Sequence, residues 1–209
     1  MNSIITVSRQ YGSGGRYVAK MLAEKFGIPF YDKELISLAA KESGLSETLF
    51  DGIDEKPTNS LLYSLVMGIQ SSKGLYYQYN DMLNGDNVFK LQADVIKNIS
   101  TEGPCIIVGR CADYILRNNP HLIKLFLYAD SETRIKNLMA RDNMTEKEAA
   151  SAVSKADKRR SNFYNFYTNN TWGDVNNYDL CLNTGTLSTD ECVKTLVDYI
   201  AKRELTFKD

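Results

Sequence analysis

Residues 3–16, Ser3-Ile-Ile-Thr-Val-Ser-Arg-Gln-Tyr-Gly-Ser-Gly-Gly-Arg16, constrain the fold more than any other stretch. The β-branched run Ile4, Ile5, Thr6, Val7 reads as a buried strand. It breaks into a turn with glycine at 12, 14 and 15, then resumes as a helical pattern with Val18, Met21, Leu22 and Phe26 on one face. Strand, glycine turn and helix start together build an anion site. Glycine permits positive φ and lets successive N–H groups approach a phosphate, and the helix start adds partial positive charge. Arg16, in the first turn, adds a full charge and a two-pronged donor. Gly12, Ser13, Gly14, Gly15 and Arg16 are therefore the candidate phosphate-binding residues.

Two known patterns fit this segment incompletely. Against G-x-x-x-x-G-K-[ST], with Gly14 as the second glycine, Arg9 stands at the first glycine, Gly15 at the lysine and Arg16 at the hydroxyl residue. The lysine is missing, with Arg16 one residue later to replace its cation, and so is the hydroxyl that usually holds Mg²⁺. The dinucleotide pattern G-x-G-x-x-G fails at Tyr17, where a third glycine would let helix and strand pack closely. Asp32, about twenty residues on, suits a ribose contact and keeps a small NAD(P)-binding reductase as a rival. That rival is weakened by the absence of any Tyr-x-x-x-Lys pair.

At 209 residues the chain is one domain with room for a substantial core. Its net charge of −1 offers no global attraction to nucleic acid or a lipid surface, so any basic site is local. A leader with a positive start and an apolar centre is absent, as is any apolar stretch of membrane-spanning length, which predicts a cytoplasmic protein. Cys105, Cys111, Cys181 and Cys192 lack C-x-x-C spacing, which argues against a zinc site or redox dithiol; Cys105 and Cys181 read as small buried hydrophobes. The sole histidine, His121, follows Asn118, Asn119 and Pro120 in a predicted loop, so histidine-based hydrolysis is excluded.

Strands are predicted at 4–7, 29–31, 105–108, 123–128 and 179–183. Most are short continuous apolar runs, as in strands buried on both faces. Helical patterns lie between them. The first covers about 15–26 and stops at Gly27; others carry Leu35, Ile36, Ala39 and Ala40, then Leu62, Leu65, Val66 and Ile69, then Val88, Leu91, Val95, Ile96 and Ile99. Asp130 and Ser131 cap a helix with Ile135, Leu138 and Met139; Thr145 with Glu148, and Ser188 with Glu191, are capping boxes. The alternation predicts an α/β fold, a five-stranded parallel sheet flanked by helices with residues 4–7 central. Residues 33–100 and 142–178 are too long for plain crossovers and read as insertions, the first with a mobile loop at 70–87.

Insertions around a phosphate loop suggest an enzyme that closes over two substrates, as phosphoryl transfer requires. Arg110 follows the third strand, Arg134 opens the helix after the fourth, and Lys155, Lys158, Arg159 and Arg160 crowd the second insertion. Asp157, Arg160 and Tyr164 share one helix face, which is either a solvated face with a local ion pair or a ligand-reading one. Asp32 is either a helix cap or a ligand contact. Phe163, Tyr164, Phe166, Tyr167 and Trp172 either stack on a base or close the insertion onto the domain.

In combination, several stretches resemble the cytidylate kinase-like family of P-loop nucleoside monophosphate kinases. They are Ser8-Arg-Gln-Tyr-Gly-Ser-Gly-Gly-Arg16, Phe30-Tyr-Asp32, Val108-Gly-Arg110-Cys-Ala-Asp113, Asp157-Lys-Arg-Arg160, Trp172-Gly-Asp174 and Tyr178-Asp-Leu-Cys-Leu-Asn-Thr184. The resemblance covers essentially the whole chain. It implies a P-loop NTPase-type fold in which 33–100 is the monophosphate-binding insertion and 142–178 the lid. It also implies Mg²⁺-ATP as donor and CMP or dCMP as acceptor. Arg110 matches the arginine on the acceptor phosphate, Asp157 and Arg160 the lid residues on its sugar and base, Arg134 an arginine near the ATP base, and Asp32 the aspartate opening the acceptor site. Arg16, Arg110 and Arg160 are the expected catalytic cations. One family arginine is replaced by Leu38, with Lys33 the candidate to substitute for it. A sensor module with a degenerate loop, or a kinase for a non-nucleotide acceptor, is the alternative.

Overall fold

A computed structural model describes residues 1–32 and 85–207. The helices expected around Leu35 and Leu62, together with Lys33 and Leu38, lie outside the described residues. Strand β1 (Ile4–Arg9) leads through the glycine turn into α1 (Gly15–Phe26), followed by β2 (Phe30–Tyr31). Then come α2 (Gly85–Glu102), β3 (Cys105–Val108), α3 (Ala112–Ile115), β4 (Leu122–Tyr128), α4 (Ser131–Asp142), α5 (Glu146–Thr168), β5 (Leu180–Asn183) and α6 (Thr189–Glu204). All five strands are parallel in the order β2-β3-β1-β4-β5, so β1 is central, between β3 and β4 as expected.

That order dismisses the reductase reading. A dinucleotide-binding sheet runs 3-2-1-4-5-6 and places its second strand beside the first; here β3 occupies that place. Tyr17, the residue that broke the dinucleotide pattern, is 60% exposed, so no close packing is asked of it. Gly15 is the close-packing glycine instead: a Cβ there would lie 2.9 Å from the Cβ atoms of Arg9 and Leu127.

The continuous apolar strands are buried on both faces because each alternates its side chains between two cores. Ile5, Val7, Ile106, Val108, Ile123, Leu125 and Leu127 pack with Val18 and Leu22 of α1 and Leu196 and Ile200 of α6. Ile4, Cys105, Ile107 and Leu122 face the other way, onto Val95, Ile96 and Ile99 of α2 and Leu116. Cys105 is fully buried, whereas Cys181 is only half-buried, because β5 is the outer strand on its side of the sheet.

The end signals are those of the sequence. Gly27 closes α1 at φ 64°, and Asp130 accepts from Thr133 N–H at 2.8 Å. Both capping boxes, Thr145 with Glu148 and Ser188 with Glu191, are formed. Four strand boundaries moved, β4 gaining Leu122 and β5 losing Asp179. β1 runs on through Ser8 and Arg9, which pair with Phe126 and Leu127. The predicted 29–31 strand shortens to Phe30–Tyr31, since Pro29 has no N–H to donate although its carbonyl accepts from Ile106 N–H at 2.9 Å. Residues 85–87, expected in a loop, begin α2. None of the helices among the described residues is long and apolar enough to cross a membrane.

Candidate active site

The site lies at the carboxyl ends of β1, β3 and β4, where open parallel sheets bind ligands. The turn after β1 is built by its own backbone. Gly12 and Gly14 have φ of 80° and 76°, and a Cβ on Gly12 would stand 2.7 Å from the Arg134 carbonyl oxygen. Ser13 is buried; its hydroxyl donates to Gln10 O at 2.9 Å and accepts from Gly15 N–H at 3.2 Å. Asn137 donates to Gly12 O at 2.9 Å, and the Thr184 hydroxyl is 2.6 Å from Ser13 O. The carbonyls are thereby held from behind. The N–H groups of Gly12, Gly14 and Arg16 have no acceptor among the described residues. Free amides at a helix start are what an anion needs.

On one side of the turn, β3 ends in three consecutive left-handed residues, Gly109, Arg110 and Cys111, at φ 79°, 59° and 55°. Two non-glycine residues in that region cost on the order of 1–3 kcal/mol each. The bend aims the Arg110 side chain into a cleft it shares with Ser8, Arg9, Arg160, Phe163, Tyr164 and Trp172. Arg110 is 7% exposed, and burial followed by the neighbouring Arg9 charge pulls its pKa down to about 10, with Asp32 opposing. Arg160 donates to Arg9 O at 3.0 Å. A cleft crowded by guanidinium groups is chemistry for a phosphate.

Two carboxylates stand around the turn. Asp32, at the end of β2, is ion-paired with Arg16 and lies 3.7 Å from Arg9 Nη2. Asp157 accepts from Tyr11 N–H at 2.8 Å and is ion-paired with Arg134. The expected face of α5 thus exists: Asp157, Arg160 and Tyr164 all point to the sheet end. Asp157 pairs with Arg134 of α4, not locally with Arg160. The structure brings Arg110 and Arg160 into one cleft, whereas Arg16, Asp32, Arg134 and Asp157 surround the turn beside it.

The aromatic cluster closes α5 onto the domain. Tyr167 stacks on Phe89 at 4.0 Å, Trp172 meets Phe126 edge-on at 5.5 Å, and only Phe166 is left 51% exposed. The helix carries more apolar anchors than its composition suggests, with Ala149, Val153, Ala156, Phe163 and Tyr164 buried. Sequence reasoning missed Arg9, Tyr11, Asn137 and Thr184 as parts of the site. Arg9 left a signal, as the misfit at the first glycine of the phosphate-loop pattern, and Tyr11 lies within the turn; Asn137 and Thr184 are joined to it by tertiary structure.

Fold and site define a phosphate-loop kinase-type α/β domain. The pattern of the cytidylate kinase-like family matches residues 4–186, and the chain belongs to that family. It is 26% identical over 206 residues to a cytidylate kinase of Methanocorpusculum labreanum, covering 96% of this chain and 99% of that one. An uncharacterized protein of Eubacterium ventriosum has a similar structure, at TM-score 0.72 and 30% identity over 96% of this chain and 99% of that one. A gluconokinase of Sinorhizobium meliloti shares the fold at TM-score 0.54 and 14% identity, covering 96% and 93% of the two chains.

Proposed function

We propose that the protein transfers the γ-phosphoryl group of ATP to a nucleoside monophosphate, with CMP and dCMP as the first acceptors. The observation that carries this is the buried Arg110, held by left-handed backbone in a cleft with Arg160, directly beside a turn that offers free amides. An acceptor phosphate oxygen attacks the γ-phosphorus, the bond to the β–γ bridging oxygen breaks, and ADP leaves with that electron pair. No general base is needed, since positioning and charge neutralisation do most of the work.

In this reading the turn from Gly12 to Arg16 cradles the donor phosphates, and Arg110 and Arg160 hold the acceptor phosphate. Asp32 and Lys33 open the acceptor site, Arg134 lies on the ATP-base side, residues 33–100 form the acceptor insertion and 142–178 the lid. Mg²⁺ would arrive on ATP and be completed by water. Ser13 Oγ and Thr184 Oγ1 face backbone carbonyls, and Asp32 and Asp157 are held by arginines. The donors beside the turn thus fit a metal carried by the nucleotide better than one bound by the protein. The similarity to a named cytidylate kinase supports the pyrimidine acceptor. The test is ADP release from ATP with CMP, dCMP, UMP and AMP in turn. The expected result is turnover with the cytidine nucleotides at least about tenfold above the others. Equal background with every monophosphate overturns the assignment.

A further inference from the structure

Positions 9 and 15 of this chain touch. A Cβ on Gly15 would lie 2.9 Å from the Arg9 Cβ. In the phosphate-loop pattern the first of these positions is glycine and the second is the lysine that reaches the β- and γ-phosphates. Here they are arginine and glycine. The small residue and the cation have changed places, and a side chain on residue 15 would crowd Arg9 and Leu127 alike, each 2.9 Å from its Cβ. The Arg9 side chain, 12% exposed, runs from the end of β1 over Gly109, where a Cβ would collide with its Nη1. Its Nη2 lies 3.7 Å from Asp32, the carboxylate that also holds Arg16 of the turn. Its Nε is buried with no hydrogen-bond partner among the described residues. Arg9 therefore stands between the turn and the Arg110–Arg160 cleft, with a buried donor still to be satisfied.

We propose that Arg9 supplies, from the end of β1, the positive charge on the transferred phosphoryl group that a lysine at position 15 supplies in the general pattern. Gly15 is its steric counterpart. The ligand is the terminal phosphate of a nucleoside triphosphate, which gives Nε the acceptor it lacks. A guanidinium can span two phosphate oxygens, so it suits a group whose charge is spread over three. This inference rests on the phosphoryl-transfer reading and adds a residue to it.

The test separates the two. Calorimetric titration with ADP and with the non-hydrolysable imido analogue of ATP is run on wild type, Arg9→Gly, Gly15→Lys and the double variant. Arg9→Gly is expected to lower affinity for the analogue at least about tenfold, the worth of a charged hydrogen bond, with ADP affinity changed less than about threefold. Gly15→Lys alone crowds Arg9 and weakens both ligands. The double variant, with cation and small residue exchanged back and only the Leu127 and Ser13 contacts left to yield, recovers the preference for the analogue at least in part. If Gly15→Lys does not fold, Arg9→Lys is expected to keep the preference and Arg9→Gln to lose it. A residue that merely braces Asp32 would move both ligands together and show no recovery, which overturns the proposal. Wild type that binds neither ligand overturns it along with the transferase reading. Wild type that shows the Arg9-dependent preference yet turns over no monophosphate leaves Arg9 standing and removes the acceptor assignment alone.

Discussion

Asp32 and Asp157 flank the same turn and are held in different ways. Asp32 has a side chain 6% exposed, and its partners include the arginine side chains at 9 and 16. Asp157, at 18%, grips the backbone itself through Tyr11 N–H and adds Arg134 from α4. The first carboxylate sets where positive charge sits; the second sets the shape of the turn. In the free protein Asp32 competes with any phosphate for Arg16, whereas Asp157 helps form the cradle a phosphate enters. Two acidic residues that both touch one loop thus have opposite consequences for anion binding.

The largest effect is expected at the buried cation of the cleft. Arg110→Ala should slow phosphoryl transfer by at least about a hundredfold, the usual cost of deleting one preorganised charge-stabilising donor. Burial and Arg9 disfavour the charged guanidinium, with Asp32 opposing, so its removal should lower the melting temperature by less than about 4 °C. Loss of activity with a matching loss of stability would instead make Arg110 a structural residue.

Next come the two carboxylates. Asp32→Asn strands two guanidinium groups; with Arg16 half in solvent the cost is about 2 kcal/mol, a fall of roughly 4–8 °C for a chain of this size. Its affinity for ADP should nevertheless rise, because Arg16 is released. Asp157→Ala should lose about 1–2 kcal/mol with its backbone contact and ion pair and should bind ADP more weakly. Calorimetry on both variants decides the matter. If ADP affinity moves in the same direction for both, the division into charge and shape is wrong.

The glycines of the turn sharpen the shape half of the comparison. Gly12→Ala meets both a positive φ and the Arg134 carbonyl at 2.7 Å, whereas a Cβ on Gly14 has open space around it. Gly14→Ala should therefore cost about 1 kcal/mol, from backbone strain alone, and Gly12→Ala about 1 kcal/mol more. Urea midpoints at constant slope would show the order; an inverted order would mean that Arg134 yields.

How far the sequence could be read follows the same division. The sheet, its order around residues 4–7, and the caps at Asp130, Thr145 and Ser188 were legible because periodicity and capping are local. Arg110 was legible because it follows a strand. The partner of Asp157 was not: spacing on one helix offered Arg160, while the true partner Arg134 lies on α4 and meets it only when α4 and α5 pack. Arg9 could be seen as a misfit in a pattern, but its exchange with Gly15 required knowing that their Cβ positions collide.

The smallest effect tests whether a carboxylate needs a cation at all. Asp113 is 4% exposed and accepts a hydrogen bond from the Tyr164 hydroxyl at 2.7 Å. Burial raises its pKa, and the Tyr164 hydrogen bond only partly opposes this. A carboxyl whose pKa is higher in the folded protein binds its proton more tightly there. The native state is therefore favoured at low pH, and a penalty grows as pH rises from about 3.9, the ordinary aspartate value. Asn at 113 keeps an acceptor for Tyr164 and carries no charge. Asp113→Asn should be neutral to about 1 kcal/mol stabilising at pH 7.5, and that gain should shrink as the pH falls toward 4. Asp32→Asn, whose carboxylate faces two arginines, should show the opposite sign at pH 7.5. Thermal melts of both variants across this range make the contrast measurable, and a destabilised Asp113→Asn at pH 7.5 would show that its charge is matched by the protein after all.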